Sequence, residues 1–181
     1  ASNWISSQGE YVNRFEQIFR EYVSVDFSLS TTNGTTALHL ALMGLGIGPG
    51  DEVIVPRPFF VEYSYYVDNH GGKLVLVDTT SDFDLDLAAI ENAINSRTRA
   101  ILVNSPNNPT GLVEPVERVE QLLALAPGLV VVDEAYAQFA DWSALGLLDE
   151  QRPLAVTRTF SKTWSLAGLR LGYAIGPTWF V

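Results

Sequence analysis

Apolar residues near the start of the chain recur at Tyr11, Phe15, Ile18, Phe19 and Tyr22. That is the spacing of one helix face, and it predicts a helix over Gln8 to Val23. Phe27 to Ser30 is a short apolar strand that ends in the turn-rich Thr31-Thr32-Asn33-Gly34. A helix from Thr35 to about Leu45 follows, closed by Gly46. Beyond it, strands and helices alternate. The pattern gives Val53-Ile54-Val55 as strand, Phe60 to about Asn69 as helix, Leu74 to Val77 as strand and Leu85 to Ile94 as helix. Ala100 to Val103 is then strand, Val116 to Leu125 helix and Leu129 to Val132 strand, with two more short strands at Ala155 to Thr157 and Gly172 to Ile175. Continuous runs such as Gly128-Leu129-Val130-Val131-Val132 suit a sheet covered on both faces. The alternation predicts an α/β fold, three-layer αβα, with a mainly parallel, seven-stranded sheet. A parallel pair needs a crossover of roughly a dozen residues or more, so the last strand, close behind its predecessor, is a candidate for the antiparallel direction.

Composition narrows the function. With 181 residues, 47% of them hydrophobic and 18% charged, the chain is expected to fold as a single domain over 1–181. A net charge of −10 argues against nucleic acid as a partner but leaves a small phosphorylated ligand open, because backbone dipoles can hold a phosphate on an acidic protein. The absence of cysteine excludes disulfides, thiolate catalysis and zinc–thiolate sites, and with only His39 and His70 no metal site is expected. No apolar run approaches the ~20 residues of a membrane span and no signal peptide is visible, so no membrane partner is expected and the location is expected to be cytoplasmic. The chain begins at Ala1 and stops at Val181 without a polar tail, which suggests a trimmed start and a continuation past the end.

In an open α/β sheet, ligands collect outside the carboxyl ends of the strands. Asn33-Gly34-Thr35-Thr36 lies between a strand and a helix, where free N–H groups and a glycine make a phosphate cradle plausible; an ordinary N-cap by Asn33 or Thr35 is the plainer reading. Gly44 to Gly50 follows a helix and lacks the G-x-G-x-x-G spacing, so it is a helix stop and turn. Asn104-Ser105-Pro106-Asn107-Asn108-Pro109-Thr110-Gly111 follows a strand, and its prolines and glycine fix the direction of Asn108; a tight turn alone would look the same. Asp133-Glu134-Ala135-Tyr136 follows the most apolar strand, where a carboxylate is costly unless it meets a cation or a donor, or simply caps the next segment. In Thr159-Phe160-Ser161-Lys162, a lysine preceded by hydroxyls follows a strand, where it can be desolvated and serve as an amine nucleophile, and Thr159, Ser161 and Arg170 could clamp a phosphate. A surface Lys and Arg is the alternative, weakened by there being 11 Lys and Arg in all.

Taken together these segments resemble the large domain of the fold-type-I enzymes that use pyridoxal 5'-phosphate (PLP). From Arg57 onward the chain looks like class I/II aminotransferases, including the histidinol-phosphate aminotransferase group, through Pro58-Phe59-Phe60, Asn104 to Gly111, Asp133 to Tyr136 and Thr159 to Gly172. Trp4 to Pro56, with Ser7-Gln8-Gly9-Glu10 and Asn33 to Leu40, is instead similar to nucleotide-sugar aminotransferases. The change falls near Val55-Pro56-Arg57-Pro58, so the chain reads like a chimera or an engineered assembly.

The resemblance implies a transferase acting on amino acids and 2-oxo acids, as a homodimer. It implies that Lys162 holds PLP as a Schiff base and shuttles the substrate's α-proton, and that Asp133 keeps the pyridine nitrogen protonated. Asn108 and Tyr136 would bond the ring's phenolic oxygen, and Phe60 would stack on its face. Gly34, Thr35, Thr159, Ser161 and Arg170 would hold the phosphate, with Thr36 a weaker candidate. Family members continue into a small C-terminal domain that carries the arginine for the substrate carboxylate; that domain is expected to be absent here, so cofactor binding is expected to exceed turnover. Two rivals keep the cofactor: a truncated or designed core that binds it with little or no turnover, and an enzyme of racemisation, decarboxylation or elimination. A nucleotide-binding domain is disfavoured by the missing G-x-G-x-x-G and G-x-x-x-x-G-K-[ST] patterns.

Overall fold

The computed structural model describes residues 9–23 and 28–179. Gln8 of the expected first helix, Phe27 of the expected first strand and the stretch from Trp4 to Ser7 lie outside them. The elements run α1 (Glu10–Val23), β1 (Leu29–Thr31), α2 (Gly34–Gly44), β2 (Glu52–Arg57), α3 (Glu62–Asn69), β3 (Lys73–Asp78), α4 (Leu87–Ala93) and β4 (Thr98–Asn104). They continue with α5 (Val116–Leu125), β5 (Leu129–Asp133), β6 (Leu154–Thr159) and β7 (Gly172–Ile175), with short 3₁₀ turns at Ala137–Phe139, Ala144–Leu147 and Ala167–Leu169.

The strands form one seven-stranded sheet in the order β1-β7-β6-β5-β4-β2-β3. From β3 through β6 all pairs are parallel, while β7 runs antiparallel to both β6 and β1. The expected mainly parallel sheet and the reversed last strand are both present. Element ends moved by a few residues for local reasons. Strand β2 was expected to stop at Val55 but continues to Arg57, because its ladder to β4 ends at Ile54 and Pro56, with no N–H to give, lies past it. Helix α4 starts two residues late because Asp86 caps it, its carboxylate accepting the Ala89 N–H at 2.9 Å.

The alternation along the strands divides the core. Val53, Val55, Leu102, Val131 and Ala155 meet α2 and α3 through Leu38, Leu42, Tyr63 and Val67. On the other face Ile54, Ile101, Val103, Val130, Val132 and Val156 meet α4 and α5 through Ile90, Val119 and Leu122. Each fully buried aliphatic side chain contributes about 1.5–3 kcal/mol, so the two layers together clamp the sheet on both sides. Helix α1 adds Phe19 against Tyr173 at 4.2 Å between ring centres and Phe15 edge-on to Phe160 at 6.4 Å. Among the described residues no helix is long and apolar enough to cross a membrane.

The amino end of the parallel strands is locked by charge. The buried Glu52 carboxylate accepts from Asn95 at 2.7 Å, from Arg97 at 2.7 and 3.1 Å and from Lys73 at 3.3 Å, and these donors, Asn95 and Arg97 foremost, hold it down at about 2. The carboxyl end is left open for a ligand, and Gly172 sets its geometry. A Cβ on Gly172 would lie 2.3 Å from the Asn33 carbonyl carbon and 2.4 Å from the Gly34 nitrogen, so β7 and the start of α2 touch backbone to backbone. Gly172→Ala is therefore expected to cost about 3 kcal/mol, the upper range for overpacking, because neither backbone can rotate away. Thermal unfolding should show a melting temperature lowered by roughly 6–12 °C, and an unchanged value would contradict the close approach.

Candidate active site

Three neighbouring parallel strands end together. Asn104 closes β4, Asp133 closes β5 in register with it, and Asp133 is paired in turn with Thr157 near the end of β6, which closes at Thr159. The first turn of α2 faces these ends, with a Cβ on Gly34 only 3.1 Å from the Thr159 Cβ. Between them opens a cavity of about 210 Å³, lined by Gly34, Thr35, Phe60, Asn108, Asp133, Tyr136, Thr159, Ser161, Lys162 and Arg170. Every residue expected at the site borders it except Thr36. Its N–H and hydroxyl are taken by the Asn33 side-chain oxygen at 2.8 and 3.2 Å, and the hydroxyl also lies 2.9 Å from that of Thr32. Asn33 is thus an N-cap in fact, while Gly34 and Thr35, whose first-turn N–H groups have no intrahelical acceptor, face the cavity.

Asp133 is the electrostatic centre. It is buried, and burial pushes its carboxyl above the ordinary value, a tendency opposed by donors. Tyr63 donates to Oδ2 at 2.6 Å; the Ala135 N–H and the Thr157 hydroxyl donate to Oδ1 at 3.2 and 3.3 Å. Among the described residues no ion pair reaches it. The neighbouring Glu134 carboxylate, by contrast, is fully used. Arg158 donates to it at 2.6 and 2.9 Å, Ser143 at 2.8 Å and the Ala144 N–H at 2.6 Å, which ties the segment after β5 to β6 and fixes where Tyr136 stands.

The lysine stands at the rim. Lys162 is exposed, not desolvated, because residues 162–170 arch over the surface; its Nζ stands 5.6 Å from the Tyr136 ring centre. The arch is closed at its base by Phe160 N–H to the Leu171 carbonyl at 3.1 Å and Leu166 N–H to the Phe160 carbonyl at 3.1 Å. Arg170 caps its 3₁₀ turn in the left-handed region, φ 51° and ψ 61°, a conformation that costs a non-glycine residue about 1–2 kcal/mol. The Thr159 hydroxyl accepts the Ser161 N–H at 3.1 Å, and the Ser161 Oγ is buried without a partner. Arg57, at the end of β2, is paired with Asp78 on the outer strand and does not border the cavity.

Sequence reasoning missed three participants. Asn104 donates to the Asp133 carbonyl at 2.9 Å and accepts the Asn108 N–H at 2.6 Å, so it holds the Asn108 loop onto β5. Glu62 borders the cavity and lies 2.5 Å from the Tyr66 hydroxyl, itself 3.1 Å from that of Thr35. Tyr63 reaches Asp133 from below. Tyr63 sits in the first turn of α3, and its N–H donates to the Phe60 carbonyl at 3.0 Å in the turn that leads into the helix, a link that nothing in the sequence marks.

A second ionisable group lies beyond the Asn104 loop. Glu114 is buried beside a cavity of about 20 Å³, room for one water molecule, bordered by Asn104, Asn107 and Thr110. Burial raises its carboxyl to about 7; the Leu85 N–H at 3.5 Å and Arg118 oppose this, and Asp84 adds to it. Since the folded value exceeds the unfolded one, the stabilisation is complete below pH about 4.5 and lost as pH rises through about 7. The loss is on the order of 2–3 kcal/mol. Glu114→Gln should flatten this part of a denaturation-versus-pH curve; a slope identical to that of the parent chain would remove Glu114 as its source.

The profile of the family described as "Aminotransferase class I and II" matches residues 10–181. It runs without a break across Val55 to Pro58, so the seam suggested there, and with it the chimeric or engineered origin, finds no support. The histidinol-phosphate aminotransferase of Methanosarcina barkeri is 45% identical over 146 residues, covering 81% of this chain and 40% of that protein. That of Thermococcus kodakarensis is 44% identical over 126 residues, covering 70% and 37%. Among solved structures, the aspartate aminotransferase of Thermotoga maritima superimposes with a TM-score of 0.81 at 32% identity, covering 93% of this chain and 49% of that one. The chain spans about two fifths of the length of the curated relatives it matches.

Proposed function

Because the chain belongs to the class I and II aminotransferases, a family that uses pyridoxal phosphate, we propose that its strand-end cavity binds PLP and exchanges amino groups between amino acids and 2-oxo acids. The observation that carries this reading is Asp133: a buried carboxylate with three donors and, among the described residues, no ion pair, facing the same cavity as Lys162. A protonated ring nitrogen is the partner such a carboxylate lacks. The cavity's other end suits a phosphate. It combines the first turn of α2, the unpartnered Ser161 Oγ and the Arg170 guanidinium on an acidic chain.

When bound, PLP supplies an electron sink that lets an amino acid's α-proton depart. The chain supplies the rest. Gly34 and Thr35 present N–H groups, and Ser161 and Arg170 present donors, to the phosphate; the Thr159 hydroxyl, engaged by the Ser161 N–H, orients that turn. Asp133 holds the ring nitrogen's proton. Asn108 and Tyr136 donate toward the ring's phenolic oxygen, and Phe60 covers the ring face and keeps water off it. Lys162 is the nucleophilic amine and the base that moves the α-proton, and Tyr136 beside it limits where its Nζ can swing. A homodimer, a cytoplasmic location, and 1–181 as one cofactor-binding domain belong to the same proposal, supported by family membership.

The test is a half-reaction. The PLP-loaded chain is mixed with a panel of amino donors, histidinol phosphate and aspartate among them, and the visible band of the bound cofactor is followed. Loss of the band with one donor and its return with a 2-oxo acid is expected. A band that no donor changes would leave a cofactor binder without transfer and overturn the proposal.

A further inference from the structure

We propose that Tyr63 is a positioning residue whose phenol keeps Asp133 ionised, and so keeps the proton on the ring nitrogen of the bound cofactor. This rests on the role given to Asp133 above. Tyr63 is fully buried on α3, and its hydroxyl makes the shortest bond that Asp133 receives, 2.6 Å to Oδ2, against 3.2 and 3.3 Å for the two donors on Oδ1. Its ring is held by Phe60 edge-on at 5.6 Å and Phe59 stacked at 6.4 Å, so the phenol has no room to swing away. The charged and titratable groups around Asp133 otherwise work against its ionisation or do not help. Glu134 follows it with a like charge, and Lys162 and Arg170, the cations that border the cavity, form no ion pair with it among the described residues. Burial favours the neutral acid, and a neutral acid has a proton to give instead of an acceptor for the ring's. The Tyr63 phenol cannot itself ionise in competition, because burial and the Asp133 charge push it well above the ordinary phenol value. Phe60, in the turn before α3, and Tyr63, in its first turn, thus share two tasks at the cofactor: one ring for its face, one hydroxyl for the carboxylate beneath it.

The experiment reads the carboxylate and the ring separately. In the cofactor-free chain, the ¹³Cγ resonance of labelled Asp133 is titrated in the parent and in Tyr63→Phe. A hydrogen bond to a charge is worth roughly a tenfold shift in such an equilibrium, so the midpoint should rise by about one pH unit. With ring-¹⁵N PLP bound, the nitrogen resonance should sit in the protonated range in the parent and move toward the unprotonated range in Tyr63→Phe. Thr157→Val, which removes a longer bond, should do less. Tyr63→Phe keeps the ring and loses one oxygen; its fold is checked by thermal unfolding. If it does not fold, Tyr63 is replaced by 3-fluorotyrosine, a stronger donor of nearly the same shape, which should lower the Asp133 midpoint. An unchanged midpoint in either variant overturns the inference and leaves the cofactor site standing. An unprotonated ring nitrogen in the parent chain overturns the role of Asp133 and this inference with it.

Discussion

Lys162→Ala is expected to abolish the borohydride-reducible adduct between the chain and pyridoxal phosphate. A covalent bond to an aldehyde needs an amine, and among the described residues the cavity is bordered by one lysine. The other lysine, Lys73, is on β3, beside Glu52 at 3.3 Å, at the locked end of the sheet. The exposure of Lys162 helps here: its Nζ reaches solvent and the cavity alike, so no part of the fold must open for the bond to form. The variant should retain noncovalent affinity through the phosphate end, because Gly34, Ser161 and Arg170 do not depend on the lysine. Mass spectrometry after reduction is the check. An adduct that persists on Lys73 would move the site to the wrong end of the sheet and cannot be reconciled with the cavity described here.

Asp133→Asn is expected to leave PLP able to bind but to slow exchange of a substrate's α-proton by at least roughly a hundredfold. The amide keeps the shape and still accepts from Tyr63, so the fold should hold. What is lost is the negative charge that makes a protonated ring nitrogen favourable in a buried site, and with it most of the ring's capacity to accept electrons. Exchange of the α-proton in deuterated water, followed by proton NMR, separates this from any effect on later steps. Exchange at the parent rate would remove Asp133 from the mechanism.

Much of the fold was legible because buried parallel strands announce themselves. The runs at 129–132 and 100–103 are apolar on both faces, and α5 falls on its expected bounds from Val116 to Leu125. The lining of the candidate site was legible because its residues sit at strand ends and helix starts, places that turn chemistry marks in sequence. What could not be read depends on long-range register. Tyr63 meets Asp133 seventy positions away, and nothing local to either residue signals the bond. The exposure of Lys162 was not legible for a related reason: its place after a strand allows burial, and only the arch from 162 to 170 shows that it stays exposed. Thr36 was proposed for the phosphate on its neighbours' strength, but the Asn33 cap claims it first.

The central claim is that the cavity between α2 and the ends of β4, β5 and β6 is a pyridoxal-phosphate site. Titrating the intact chain with PLP while recording visible absorbance tests it most directly. A single saturable band is predicted, with one equivalent bound per chain and the bound group reducible onto Lys162. A spectrum that stays the sum of free cofactor and protein at every concentration would contradict it.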